Sequence, residues 1–223
     1  MTMIHKITSL SSVLYALLFM CCLQSCDDHE TIDTSIHVGY VLCSDHSCLP
    51  PDDADAQKKT VVGVVFSPET EEHAAMAVML RGYEGIYCDS LMSNGTSTSV
   101  TSFDGESNTV AMLSSVDGNG KIMCPIAQVV LSSHTSGQSD YIPCVAEMQE
   151  LSLSAPVINP IIERYGGDVI ATTGDSWYWT STEVSSNSSM QAWLCSAVNG
   201  GIIATPKTER HQVRAVVRLI YPK

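Results

Sequence analysis

The residues with most capacity for chemistry are the cysteines, histidines and carboxylates, and their spacing limits what they can do. Six of the nine cysteines lie beyond residue 26: Cys43, Cys48, Cys88, Cys124, Cys144 and Cys195. An even number permits a disulfide framework if the chain is exported, with buried thiols as the alternative. Cys43 and Cys48 flank the turn cluster Ser44-Asp45-His46-Ser47 and are close enough to staple a hairpin if that turn is tight. Reading Cys43, His46 and Cys48 as metal ligands lacks a fourth ligand and the usual zinc spacing, so no metal and no other cofactor is expected. His73, His134 and His211 are scattered, and no serine stands in a nucleophile-elbow context. Glu147 and Glu150, three apart, read as the solvated face of a helix rather than an acid/base couple. The expectation is a protein without catalytic activity.

Binding side chains are better supplied. Trp177 and Tyr178 offer stacking surface, and Ser185, Ser186, Asn187, Ser188, Ser189, Asn199 and Lys207 offer small or flexible hydrogen-bonding groups. The plainer alternative is that the Ser/Asn run is only a turn and that Trp179 and Trp193 are core residues. Arg214 and Arg218 share one face of a strand and are expected to pair with surface carboxylates.

The N-terminus carries a different signal. After Lys6, residues 13–23 read VLYALLFMCCL, without charge. That is the length of a signal-peptide apolar region and short of the ~20 residues a membrane span needs. Leu23-Gln24-Ser25-Cys26 resembles a lipobox, although Gln24 is bulkier than the strict form prefers. The resemblance implies that residues 1–25 are removed and that a lipid on Cys26 makes the membrane a partner. Asp27, Asp28, His29 and Glu30 resemble the acidic run that sends Bacteroidetes lipoproteins to the outer face of the outer membrane. Residues 26–35 also read as an acidic tether. Removing residues 1–25 takes away Lys6 and no carboxylate, leaving 10 basic against 24 acidic side chains, a net charge of −14. Such a charge argues against nucleic acid as a partner.

From residue 36 to 223 the chain reads as one domain of strands and turns. Residues 60–66 (TVVGVVF) suit a buried strand with a close approach at Gly63, and residues 74–80 suit a strand or a short helix. Residues 82–139, rich in Gly, Ser, Thr and Asn, read as a loop-rich insertion. Helical character lies in residues 145–165. There Pro156 is placed in the first turn of a second helix, and at Pro160 the chain either restarts behind Asn159 or kinks. Residues 177–184, 191–198, 202–205 and 211–221 read as strands, with Asn199-Gly200-Gly201 as a hairpin turn. In the last strand Val213, Ala215, Val217 and Leu219 share one face, and Arg214, Val216, Arg218 and Ile220 the other.

These C-terminal motifs resemble a family. Tyr141-Ile142-Pro143 with Ala146-Glu147-Met148, then Trp179-Thr180-Ser181-Thr182-Glu183, Ala192-Trp193, Lys207 and Val213-Arg214-Ala215-Val216 are similar to the signature of C-type-lectin-like domains. Such domains recur in Bacteroidetes surface lipoproteins and fimbria-associated proteins and are distantly similar to formylglycine-generating enzymes. The resemblance spans about residues 140–221. It implies an α+β fold, two helices packed on a twisted antiparallel sheet, with ligands met by the loops between the C-terminal strands. The cysteine pair of the enzymes and the calcium-binding loop of the lectins have no match here. The expected function is a non-catalytic adhesion module for a glycan or protein ligand. The alternatives are an accessory or tip-like component of a fimbrial assembly, or a ligand-display protein with diversified loops.

Overall fold

The computed structural model describes residues 35–133, 140–174 and 176–220. The expected leader, Cys26, the tether through residue 34, His134 and Tyr221 lie outside the described residues. The strands are β1 (Val41–Cys43), β2 (Cys48–Leu49), β3 (Val61–Ser67), β4 (Met76–Ile86), β5 (Trp177–Glu183), β6 (Gln191–Ser196), β7 (Ile202–Pro206) and β8 (Arg210–Arg218). They form one sheet in the order β2-β1-β3-β4-β8-β5-β6-β7. The helices are α1 (Pro51–Ala56), α2 (Gly105–Ser114), α3 (Pro125–Ser132) and α4 (Val145–Arg164). The α+β class is therefore as the sequence implies. The sheet, however, is not wholly antiparallel, because β8 pairs in parallel with β5 through Gln212 and Tyr178.

The alternation in β8 sorts its residues onto two buried faces, as period-two geometry requires. Val213, Ala215, Val217 and Leu219 join a core with Met112 of α2 and with Ile126, Ala127 and Val130 of α3. Val216 faces the opposite core, built on Met148, Leu151, Ala155, Ile158 and Ile162 of α4. That three-four spacing is a continuous apolar stripe on one side of a helix. Helices thus cover both sides of the sheet, where two helices on one sheet were expected.

Residues 82–133 are mostly irregular, and the short elements they hold are the end of β4, to Ile86, with α2 and α3. The inward positions of α2 are Gly105, Asn108, Thr109 and Met112, so its buried face is mostly polar and gives no apolar periodicity. One further expectation is corrected: α4 is one helix through both prolines. Pro156 and Pro160 are exposed, so the carbonyls that lose their helical donor sit on the outer side of the helix. Asn159, expected as an N-cap, instead accepts the Ile170 N–H at 2.8 Å and donates to the Ile170 carbonyl at 2.7 Å.

Candidate functional site

β5, β6 and β7 form an antiparallel meander, and this divides the expected binding residues. Trp177 pairs with Ser196 and Glu183 with Ala192. Gln191 pairs with Pro206 and Cys195 with Ile202. The Ser185–Ser189 turn and the Pro206-Lys207 turn therefore lie at one end of β6. Trp177 and Asn199 lie at the other, about 20 Å away for a strand of this length. The residues do not make one face. Trp177 is half-buried against the core, and Tyr178 is buried, its hydroxyl accepting the Ala171 N–H at 3.2 Å. Asn199 is exposed, and its side chain closes its own turn by accepting the Gly201 N–H at 3.0 Å. Beside it Gln149 of α4 donates to the Gly200 carbonyl at 2.9 Å. Trp179 is fully buried with its indole N–H on the Gly85 carbonyl at 3.0 Å, whereas Trp193 is only half-buried.

Lys207 requires the sharpest correction, because it is 0% exposed and its counter-ion Glu183 is 1% exposed. Its ammonium pairs with Glu183 and donates to the Met92 carbonyl at 2.9 Å and to Asn94 Oδ1 at 2.7 Å. It also lies 5.1 Å from the centre of the Tyr87 ring. Glu183 in turn accepts the Asn94 N–H at 2.7 Å and the Ser93 hydroxyl at 3.0 Å. The Lys207 carbonyl accepts the N–H of Tyr87 at 2.9 Å and of Cys88 at 3.2 Å. The lysine does not reach for a ligand. It fixes the irregular segment after β4 against the end of the meander, because a buried ammonium must find a carboxylate and neutral acceptors together.

What that latch leaves outside is a mixed surface. Ser185, Ser186 and Ser189 are exposed, and Asn187 and Ser188 are half-buried in the turn. Met190, whose carbonyl accepts the Lys207 N–H at 3.0 Å, and Met92 are both exposed, as is Leu91 next to Met92. Flexible thioethers beside small hydroxyls over a rigid floor suit contact with another protein surface. This grouping was missed in the sequence because Leu91 and Met92 lie ninety residues before the turn they join.

The other polar groups with chemical potential are spent inside the fold. Glu147 is buried and accepts the Cys144 N–H at 2.9 Å, the Tyr141 hydroxyl at 3.2 Å and Arg218 Nη2 at 3.0 Å. Gly105 makes room for it, since a Cβ there would lie 2.1 Å from Glu147 Oε2. Glu147 is thus not on a solvated face. Arg214 is likewise buried, not paired at the surface. Its guanidinium donates to the carbonyls of Asp168 at 2.6 Å and Met79 at 2.9 Å. His73 contacts the Ala74 carbonyl and Glu150 and stacks on Phe103 at 4.3 Å.

The expected Cys43–Cys48 staple is not formed. The register sets Cys48 against Leu42, which sends Cys43 into the α4-side core and Cys48 toward the other. Burial raises the thiols of Cys144 and Cys195 to about 12. Among the described residues no group of three or more His, Cys, Asp or Glu is placed to hold a metal.

No protein-family model matches this sequence, and no curated protein is similar to it. The fold is similar to the crystal structure of a fimbrial protein from Bacteroides ovatus ATCC 8483, with a TM-score of 0.61 and 16% sequence identity. The match covers 82% of this chain and 48% of that one, so this chain spans about half the length of the protein it resembles.

Proposed function

We propose that this protein is a non-catalytic component of a fimbrial assembly at the cell surface. The observation that carries this reading is the likeness of most of the chain to part of a fimbrial protein. The surface formed by Leu91, Met92, Met190 and the Ser185–Ser189 turn is where it would meet another subunit. A non-catalytic role is supported by the way Glu147, Glu183, Lys207 and Arg218 use their hydrogen bonds on one another and on backbone. The C-type-lectin-like form of the fold belongs to the proposal too, supported by the buried Trp179 strand lying beside the terminal β8. So does anchoring by a lipid on Cys26 in the outer membrane, supported by the 23–26 motif and the apolar run before it.

The test is to shear fimbriae from the native cells and probe both fractions for this chain. Co-purification with the fimbriae, reduced by charged substitutions at Met92 and Met190, is the expected result. Recovery of the chain only in a membrane fraction, with fimbriae unchanged when its gene is deleted, would overturn the assembly role. The second reading, an adhesion module for a glycan or protein, is favoured by the exposed Ser/Asn turn. A glycan and matrix-protein array separates the two, because a structural subunit gives no hit that depends on Ser185–Ser189.

A further inference from the structure

Cys88 and Cys124 lie in the same core and are both fully buried. Their segments are clamped side by side. The Asp89 N–H donates to the Met123 carbonyl at 2.9 Å, and Lys121 pairs with Asp89 at 2.7 Å. These ties set Cys88 and Cys124 on facing segments of one core, where each thiol is the strongest influence on the other's acidity. Cys88 Sγ also accepts from Asn94 Nδ2 at 3.4 Å, and the Lys207 ammonium is close enough to favour its negative form. These contacts, first of all the one from Cys124, lower the Cys88 thiol to about 6, while Cys124 as donor is pushed well above the ordinary thiol range. Cys43 lies in the opposite core, Cys144 donates to the Ser102 carbonyl at 3.0 Å, and Cys195 lies at 3.8 Å from the Ser196 carbonyl. The 88/124 pair is thus set apart from Cys43, Cys144 and Cys195 by facing another cysteine across paired backbone.

We propose that Cys88 and Cys124 are a reversible dithiol latch, closing to an intrachain disulfide by exchange with a small-molecule or protein disulfide. The Cys88 thiolate attacks one sulfur of the oxidant, whose S–S bond breaks and whose first thiolate takes up a proton. Cys124 then gives up its proton, and its sulfur attacks Cys88 Sγ, expelling the second thiol. Two protein thiols become one S–S bond, and the oxidant's disulfide becomes two thiols. Access comes through the segment after Cys88, where Leu91, Met92, Ser93 and Gly95 are exposed and no regular structure holds the chain. A thiol held low in pKa by its neighbours stabilises the reduced state, which makes the closed form readily reducible. Closure fastens the base of the Lys207-bound segment to the start of α3, locking α2 inside a covalent loop.

The experiment equilibrates the full chain across a series of reduced-to-oxidised glutathione ratios, quenches in acid, and alkylates in denaturant for peptide mass analysis. The expected result is that the Cys88 and Cys124 peptides leave the alkylated pool together and reappear as one reducible cross-linked species. Proteolysis within residues 95–102 should slow on the order of a hundredfold in the closed form, as constraint of a loop this long implies. Cys124→Ser should abolish the cross-link. Accumulation of a stable glutathione adduct on Cys88 in the unmodified chain would overturn the proposal, because Cys124 would then have failed to resolve it. So would full alkylation of both cysteines at every ratio.

Discussion

Lys207 and Arg214 are cations with almost no solvent contact, 0% and 1% exposed, and the fold accommodates them by different means. Lys207 is a compact point charge and receives a full counter-charge from Glu183 plus two neutral acceptors. Arg214 makes no ion pair among the described residues. Its delocalised charge is spread over the carbonyls of Asp168, Met79 and Leu80, and burial lowers its pKa from the ordinary value. A planar fork can be solvated by several backbone dipoles, whereas an ammonium in the same place needs a carboxylate. The two sites also differ in purpose. Lys207 holds an irregular segment to the meander, and Arg214 joins β8 to the middle of β4 and to the chain after α4.

The contrast is broken most directly at Glu183. Glu183→Gln strands a buried ammonium, and denaturant melts should show a loss of about 3–5 kcal/mol. The double variant Glu183→Gln with Lys207→Met should recover most of it. If Glu183→Gln alone costs under about 1 kcal/mol, the ammonium is not isolated from water as described. Arg214→Lys sharpens the comparison from the other side. Lysine cannot span the carbonyls that Arg214 bridges, and the expected loss is about 2–3 kcal/mol, smaller because the groups left behind are neutral.

Alkali tests the burial of the neutral acids in the same two cores. Cys144 and Cys195 are raised from 9.0 to about 12, and burial holds the Tyr87 and Tyr141 hydroxyls well above 10.0. An acid whose folded pKa is raised binds its proton more tightly when folded. Its contribution is present below the unfolded pKa and lost as pH rises toward the folded one. Stability should therefore fall from about pH 9 upward, on the order of 1 kcal/mol per pH unit for each titrating group. A melt unchanged between pH 9 and 11 would show these groups to be solvated. The smallest effect belongs to Arg210→Ala, which removes an exposed pair with Glu84 and should change stability by less than about 0.5 kcal/mol.

These differences explain what the sequence discloses. The strands of the C-terminal third are legible because Val213, Ala215, Val217 and Leu219 alternate cleanly against the other face of β8. α4 is legible in extent but not in continuity, since prolines at exposed positions interrupt only carbonyls on its outer side. α2 is hidden because Asn108 and Thr109 are buried through hydrogen bonds rather than through hydrophobic contact. Lys207 and Arg214 look like surface residues because nothing local marks their partners: Asn94 is 113 positions from Lys207, and Met79 is 135 from Arg214. Splitting of the expected binding face was within reach, however. Successive turns of a meander must alternate between its ends, so the turns on either side of β6 cannot share a surface.

The position of β8 has a consequence for timing. Last in sequence among the described strands, it lies between β4 and β5 and joins β2-β1-β3-β4 to β5-β6-β7. A nascent chain that has emerged only as far as β7 has two half-sheets with no strand between them. It also lacks the residues that complete both cores. Met76 can pair with Ser67 of β3 early, but its second neighbour, Arg218, comes only with β8. The joining of the two half-sheets is thus paced by the arrival of β8, whose pairings with β4 bring together residues far apart in sequence.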